Sequence, residues 1–88
     1  MVSQKITVKN MTGLHLRPAG VLCNTAGKYD AEVHFDFEES VDVNAKSILS
    51  VLAACVRCGD EILLKCSGKD EQEALEAVMK AINDGLGE

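Results

Sequence analysis

Apolar and polar residues alternate along the opening segment. Val2, Gln4, Ile6 and Val8 fall on one face and Ser3, Lys5, Thr7 and Lys9 on the other, which predicts a strand. A polar turn runs through Asn10, Met11, Thr12 and Gly13. Pro18 then suits the first turn of a helix, where its missing N–H costs nothing. That helix extends to about Ala26, with Leu22 and Ala26, and Ala19 and Cys23, paired at i, i+4, and Gly27 as its natural stop. Strict alternation returns at Ala31, Val33, Phe35 and Phe37, against Glu32, His34, Asp36 and Glu38. Glu39 and Ser40 form a turn, and Val41 and Val43 continue the pattern as a short third strand of a hairpin.

A short helix follows from Lys46 or Ser47 to Ala53, capped by Ser47 or Asn44, and Gly59 ends the segment. Asp60 to Ser67 reads as a fourth strand with Ile62, Leu64 and Cys66 facing inward, and Gly68 turns the chain again. The last helix has Asp70 as N-cap and Glu73 three residues on, a capping-box spacing. Its apolar stripe is Leu75, Val78, Met79 and Ile82, and Gly85 terminates it. The order is βαββαβα. Each clear strand has one polar face, so the sheet is covered on one side only. The fold class is α+β: an open-faced β-sandwich, a four-stranded antiparallel sheet under three helices. No internal repeat or linker divides the chain, and residues 1–88 read as a single domain.

Composition narrows the functions available. Net charge is −5, which argues against nucleic acid as a partner and suits transient partners with basic patches. Met1 to Asn10 lacks the basic stretch and apolar run of a targeting segment. The longest mostly apolar run, Ile48 to Val56, is far short of the ~20 residues of a membrane span. A cytoplasmic monomer without membrane insertion is expected. Cys23, Cys55, Cys58 and Cys66 read as reduced thiols, with Cys23 and Cys66 as small core residues. Cys55-Val56-Arg57-Cys58 is a lone C-x-x-C without the second pair of a structural zinc site, so no metal or cofactor is expected. A thiol or metal protein built on Cys55 and Cys58 is the third-ranked alternative.

The segment Gly13-Leu14-His15-Leu16-Arg17-Pro18-Ala19 holds the candidate chemistry. His15 falls at the mouth of the first helix, where unpaired N–H groups make an anion site. Arg17 adds a permanent cation whose donors match phosphate oxygens. Much of a histidine population is uncharged near neutral pH, and a ring nitrogen then has a lone pair with which to attack phosphorus. No substrate pocket accompanies it, so partner proteins would complete each active site. The plainer readings are an exposed polar residue for His15, a simple N-cap for Ser47 and core packing for Ile48 and Leu52. His34 reads as a solvated strand residue.

Gly13 to Ala19 closely resembles the active-site segment of HPr, the histidine phosphocarrier family of the bacterial phosphoenolpyruvate:sugar phosphotransferase system. Lys28-Tyr29-Asp30-Ala31, Asn44-Ala45-Lys46-Ser47-Ile48-Leu49 and Gly85-Leu86-Gly87-Glu88 resemble further family segments, in the right order. The resemblance implies an open-faced β-sandwich in which enzyme I phosphorylates His15 on Nδ1. Arg17 would contact the phosphoryl group, and sugar-specific IIA domains would receive it. It also implies that Ser47 matches a serine phosphorylated by an HPr kinase/phosphorylase, with a catabolite-control transcription factor as a further partner. Leu16, Gly20, Ile48, Leu49 and Leu52 correspond to the partner-docking patch. The alternative is a regulatory HPr-like paralogue acting mainly as a Ser47-phosphorylated binding module. Leu16, Gly20 and Ser50 depart from the residues common in the family, and the turn between the second and third strands is one residue longer.

Overall fold

The computed structural model describes residues 1–88. Its elements are β1 (Val2–Thr7), α1 (Leu16–Gly27), β2 (Glu32–Phe37), β3 (Ser40–Asn44), α2 (Ile48–Ala54), β4 (Glu61–Ser67) and α3 (Glu71–Asn83). The sheet order is β1-β4-β2-β3, and every neighbouring pair is antiparallel. Alternate strand residues Ile6, Val33, Phe35, Ile62, Leu64 and Cys66 are buried with Leu22, Val51, Val78 and Ile82 of the helices in one core. The opposite face carries His34, Asp36 and Lys65, and Lys65 bridges to Asp36 at 2.9 Å and to Asp42. This is the open-faced sandwich that the polar strand faces imply.

Several local expectations need correction. Ser40 belongs to β3 and not to the turn, which is Glu38–Glu39. Phe37 pairs with Ser40 and Phe35 with Val43, so β3 holds one residue more than β2 over that stretch. The extra residue is a bulge, with Asp42 at φ +54. The bulge breaks the alternation, so Val43 is buried while Val41 is exposed. Gly27 is the last residue of α1 and has no positive φ. That helix ends through Lys28 N–H to Thr25 C=O and Tyr29 N–H to Ala26 C=O, both at 3.3 Å. The helix stops before Gly59, at Cys55, whose left-handed backbone (φ +58) lies directly at the end of α2.

Asp70 is the N-cap of α3 as expected, but its side chain makes no capping bond. Its carboxylate accepts the Asp30 and Ala31 N–H groups at 3.0 and 2.8 Å. Those two donors leave the turn after α1 and have no helical partner of their own, so they engage the acid that local sequence assigns to its own helix. Glu71, not Glu73, supplies the local bond, accepting Gly68 N–H at 3.1 Å. The far end of α3 behaves as expected. Gly85 (φ +89) follows it, Gly85 N–H reaches Ile82 C=O at 3.1 Å, and Leu86 N–H reaches Ala81 C=O at 3.0 Å. No helix is long and apolar enough to cross a membrane.

Candidate functional site

His15 is the N-cap of α1, with extended backbone (φ −79, ψ −176), and its carbonyl accepts Ala19 N–H at 2.8 Å. The ring is exposed and makes no capping bond. Pro18, the third helical residue, has no N–H. The N–H groups of Leu16 and Arg17 therefore stand unpaired at the positive end of a 12-residue helix with no acidic residue in its first turn. An imidazole with free nitrogens thus stands beside two free backbone donors.

The loop that presents this ring is tightly held. Asn10 is buried; its Nδ2 donates to Gly13 C=O at 2.6 Å, and its C=O accepts Gly13 N–H at 3.0 Å. Leu14 N–H donates to Val56 C=O at 2.9 Å, and the Leu14 side chain is buried. Gly13 has φ +64, and a Cβ there would lie 2.5 Å from the Val56 carbonyl oxygen. Only glycine tolerates both the left-handed backbone and that approach.

His15 and Arg17 line neighbouring recesses. One, of about 460 Å³, includes Thr12, Leu14, His15, Leu52, Val56 and Arg57. The other includes Lys9, Asn10, Thr12, Arg17, Asp84 and Glu88. Thr12 belongs to both. In the second recess the Glu88 carboxylate accepts Thr12 Oγ1–H at 2.7 Å, Asn10 Nδ2–H at 3.2 Å and Thr12 N–H at 3.4 Å. The Thr12 hydroxyl is the main cause holding the Glu88 carboxyl below its usual range; the Asn10 amide, the Thr12 N–H and the Arg17 charge assist, against a smaller opposing effect of burial. The guanidinium that local sequence assigns to the imidazole therefore has a carboxylate for a neighbour.

Ser47 is the N-cap of α2, and its half-buried hydroxyl accepts Ser50 N–H at 3.3 Å. Asn44, the other candidate cap, shapes the preceding turn by accepting Lys46 N–H at 2.9 Å. Leu49 is 80% exposed, Leu16 62% and Ile48 40%, an unusual exposure for large apolar side chains on α1 and α2, which touch one another. Leu52 is half-buried and lines the His15 recess. Gly20 is half-buried with open space where a Cβ would stand. His34 lies on the polar sheet face, with Nδ1 3.2 Å from the Asp42 carbonyl and Nε2 3.3 Å from Glu32 Oε1. Cys55 and Cys58 are exposed, Cys23 is half-buried and Cys66 buried, and all four are free thiols.

Sequence reasoning missed Thr12, Glu88 and Arg57. Glu88 is 76 residues from Thr12, so no local pattern could join them. Arg57 had one available signal: it is the only arginine besides Arg17.

The fold and this histidine-bearing helix start place the chain among small α+β proteins whose candidate site lies on the surface. Residues 2–84 match the family described as PTS HPr component phosphorylation site. The chain is 37% identical over 84 residues to the HPr-like protein Crh of Bacillus subtilis, covering 96% of this chain and 98% of that one. It is 34% identical over 88 residues to the phosphocarrier protein HPr of Treponema pallidum, covering 100% and 99%. The crystal structure of HPr from Thermoanaerobacter tengcongensis superposes with a TM-score of 0.93 at 36% identity, covering 100% of this chain and 98% of that one. This chain belongs to the HPr family of phosphocarriers. Crh has also been solved as a dimer with a swapping domain, so family membership does not itself imply a monomer.

Proposed function

We infer that this chain, working as one domain over residues 1–88, accepts a phosphoryl group from phospho-enzyme I on Nδ1 of His15. It then passes the group to sugar-specific IIA domains, an exchange placed in the cytoplasm. The observation that carries this reading is the exposed, unbonded imidazole beside the free Leu16 and Arg17 N–H groups. The ring's lone pair forms the N–P bond as the bond to the donor breaks. The helix N-terminus then faces the phosphoryl oxygens. Arg17, exposed and without an ion-pair partner, joins them by turning toward the new dianion. The chain lacks an enclosed cavity of its own around His15, in keeping with partners that supply the other half of each site. Leu16, Gly20, Ile48, Leu49 and Leu52 form the surface on which those partners dock.

A second role is favoured by the similarity to Crh, described as the Bacillus subtilis catabolite repression HPr, and by Ser47 next to exposed Ile48 and Leu49. In this role an HPr kinase/phosphorylase modifies Ser47. The added charge of about −1.5 to −2 beside the apolar patch disfavours enzyme I and favours a catabolite-control transcription factor.

Incubation with enzyme I and phosphoenolpyruvate tests the first role. Acid-labile label is expected, and His15→Ala removes it; label that persists in that variant would overturn the assignment. In a kinase reaction with ATP, acid-stable label should vanish in Ser47→Ala, and its persistence would refute the second role.

A further inference from the structure

The chain contains two arginines, and both lie at the His15 loop. Arg17 lines the recess that Glu88 also lines. Arg57 lines the recess that holds His15 itself. Its backbone is fixed there from two sides. Arg57 N–H donates to the Asp60 carboxylate at 2.8 Å, and Asp60 N–H donates to Arg57 C=O at 3.0 Å. On the other side the His15 loop is seated on it: a Cβ on Gly13 would lie 2.7 Å from Arg57 Cα.

The side chain has none of this restraint. The Arg57 guanidinium is exposed and makes no hydrogen bond or ion pair. Glu38 and Asp60 line a recess on a further side of the residue, yet neither is in ion-pair contact with it. Leu14, Leu52 and Val56 also line the His15 recess and carry no side-chain group that would compete for the guanidinium. A phosphoryl group brings up to two negative charges to a chain already at −5, so a nearby free cation has a definite task. A guanidinium presents paired donors that match two phosphate oxygens.

We propose that Arg57 is a second phosphoryl-binding residue, closing onto the phosphate on His15 from the recess that Arg17 does not line. The proposal rests on His15 being the acceptor. Neither guanidinium has an ion-pair partner to give up, and of the two only Arg57 lines the recess that holds His15. The two arginines then hold the phosphate from either side of Thr12.

The test uses wild type, Arg57→Gln, Arg57→Lys and Arg17→Gln. Each is phosphorylated with enzyme I and phosphoenolpyruvate, with excess enzyme for any variant that loads slowly, and is then freed of enzyme I. Phosphorus NMR follows the titration of the phosphohistidine and its rate of hydrolysis, and amide spectra confirm that each variant is folded. Loss of a bound cation raises the phosphoryl titration midpoint, because the dianion loses its stabiliser. Arg57→Gln should raise it by about half a unit and change the hydrolysis rate, with Arg57→Lys, which keeps the charge but loses the paired donors, falling between the two. An Arg57→Gln protein identical to wild type in both readouts would overturn the proposal while leaving the His15 reading intact. Failure of wild type to take up acid-labile phosphate would instead remove the reading on which the proposal stands.

Discussion

At the scale of single residues, glycine positions separate into those set by geometry and those left open. Gly13 combines φ +64 with a Cβ position 2.5 Å from the Val56 carbonyl oxygen. Gly20 has no positive φ and nothing within 4 Å of a Cβ. Gly13→Ala should therefore cost about 1–3 kcal/mol of stability, because the left-handed backbone and the backbone clash both oppose it. Gly20→Ala should add roughly 0.5–1 kcal/mol by restricting the unfolded chain within a helical stretch. Urea unfolding checks both, with midpoints moving in opposite directions at constant slope. His15 and Ser47 were legible at this scale, since a helix start announces itself within a few residues. The environment of Arg17 was not, because its neighbour Glu88 is reached only through the folded chain.

Elements were read with nearly correct bounds, and their ends were where the reading failed. Capping depends on which donors compete for a side chain, and Asp70 meets two from the turn before β2. The Asp30 N–H bond is the leading cause that holds the Asp70 carboxyl below its usual range; desolvation opposes it, and the Ala31 N–H adds a lesser contribution in the same direction. A carboxyl held low in the folded state stabilises that state above its unfolded value of about 3.9 and loses the effect as pH falls through the folded value. Wild type should lose urea resistance on acidification from about pH 4 downward. Asp70→Asn should be less stable at pH 7 and show a shallower decline over that window. An equally steep decline in the variant would remove Asp70 from the explanation, leaving Asp36, Glu71 and Glu88, whose carboxyls are also held low. The third strand failed for a related reason. The bulge at Asp42 is a pairing event between strands, and it turned Val41 outward although the alternation alone put it inside.

At the scale of the whole molecule, the last residues close onto the first loop. Leu86 is buried at 1% exposure, in a left-handed turn between Gly85 and Gly87, and Glu88 binds Thr12 and Asn10 beside Arg17. Leu86→Ala should cost about 2–5 kcal/mol, the range for a large buried aliphatic side chain cut to a methyl. A urea midpoint within error of wild type would show that this tail is not part of the core. Loosening it should also draw the Glu88 carboxylate out of the recess that Arg17 lines, which links the C-terminal segment to the site through packing. The exposed apolar residues Leu16 of α1 and Ile48 and Leu49 of α2 belong to this scale as well, for they lie on two helices distant in sequence that touch one another.

Local order, one-sided helices and strands, and the histidine at a helix start all followed from the amino-acid sequence, because periodicity and helix initiation are decided by residues within a turn or two of each other. Strand order, the bulge that exposes Val41, the diversion of Asp70, and the placing of Arg17 with Glu88 and of Arg57 with His15 were decided only on folding. Each depends on groups brought together from distant parts of the chain, where competition for donors and space, not local preference, selects the partner.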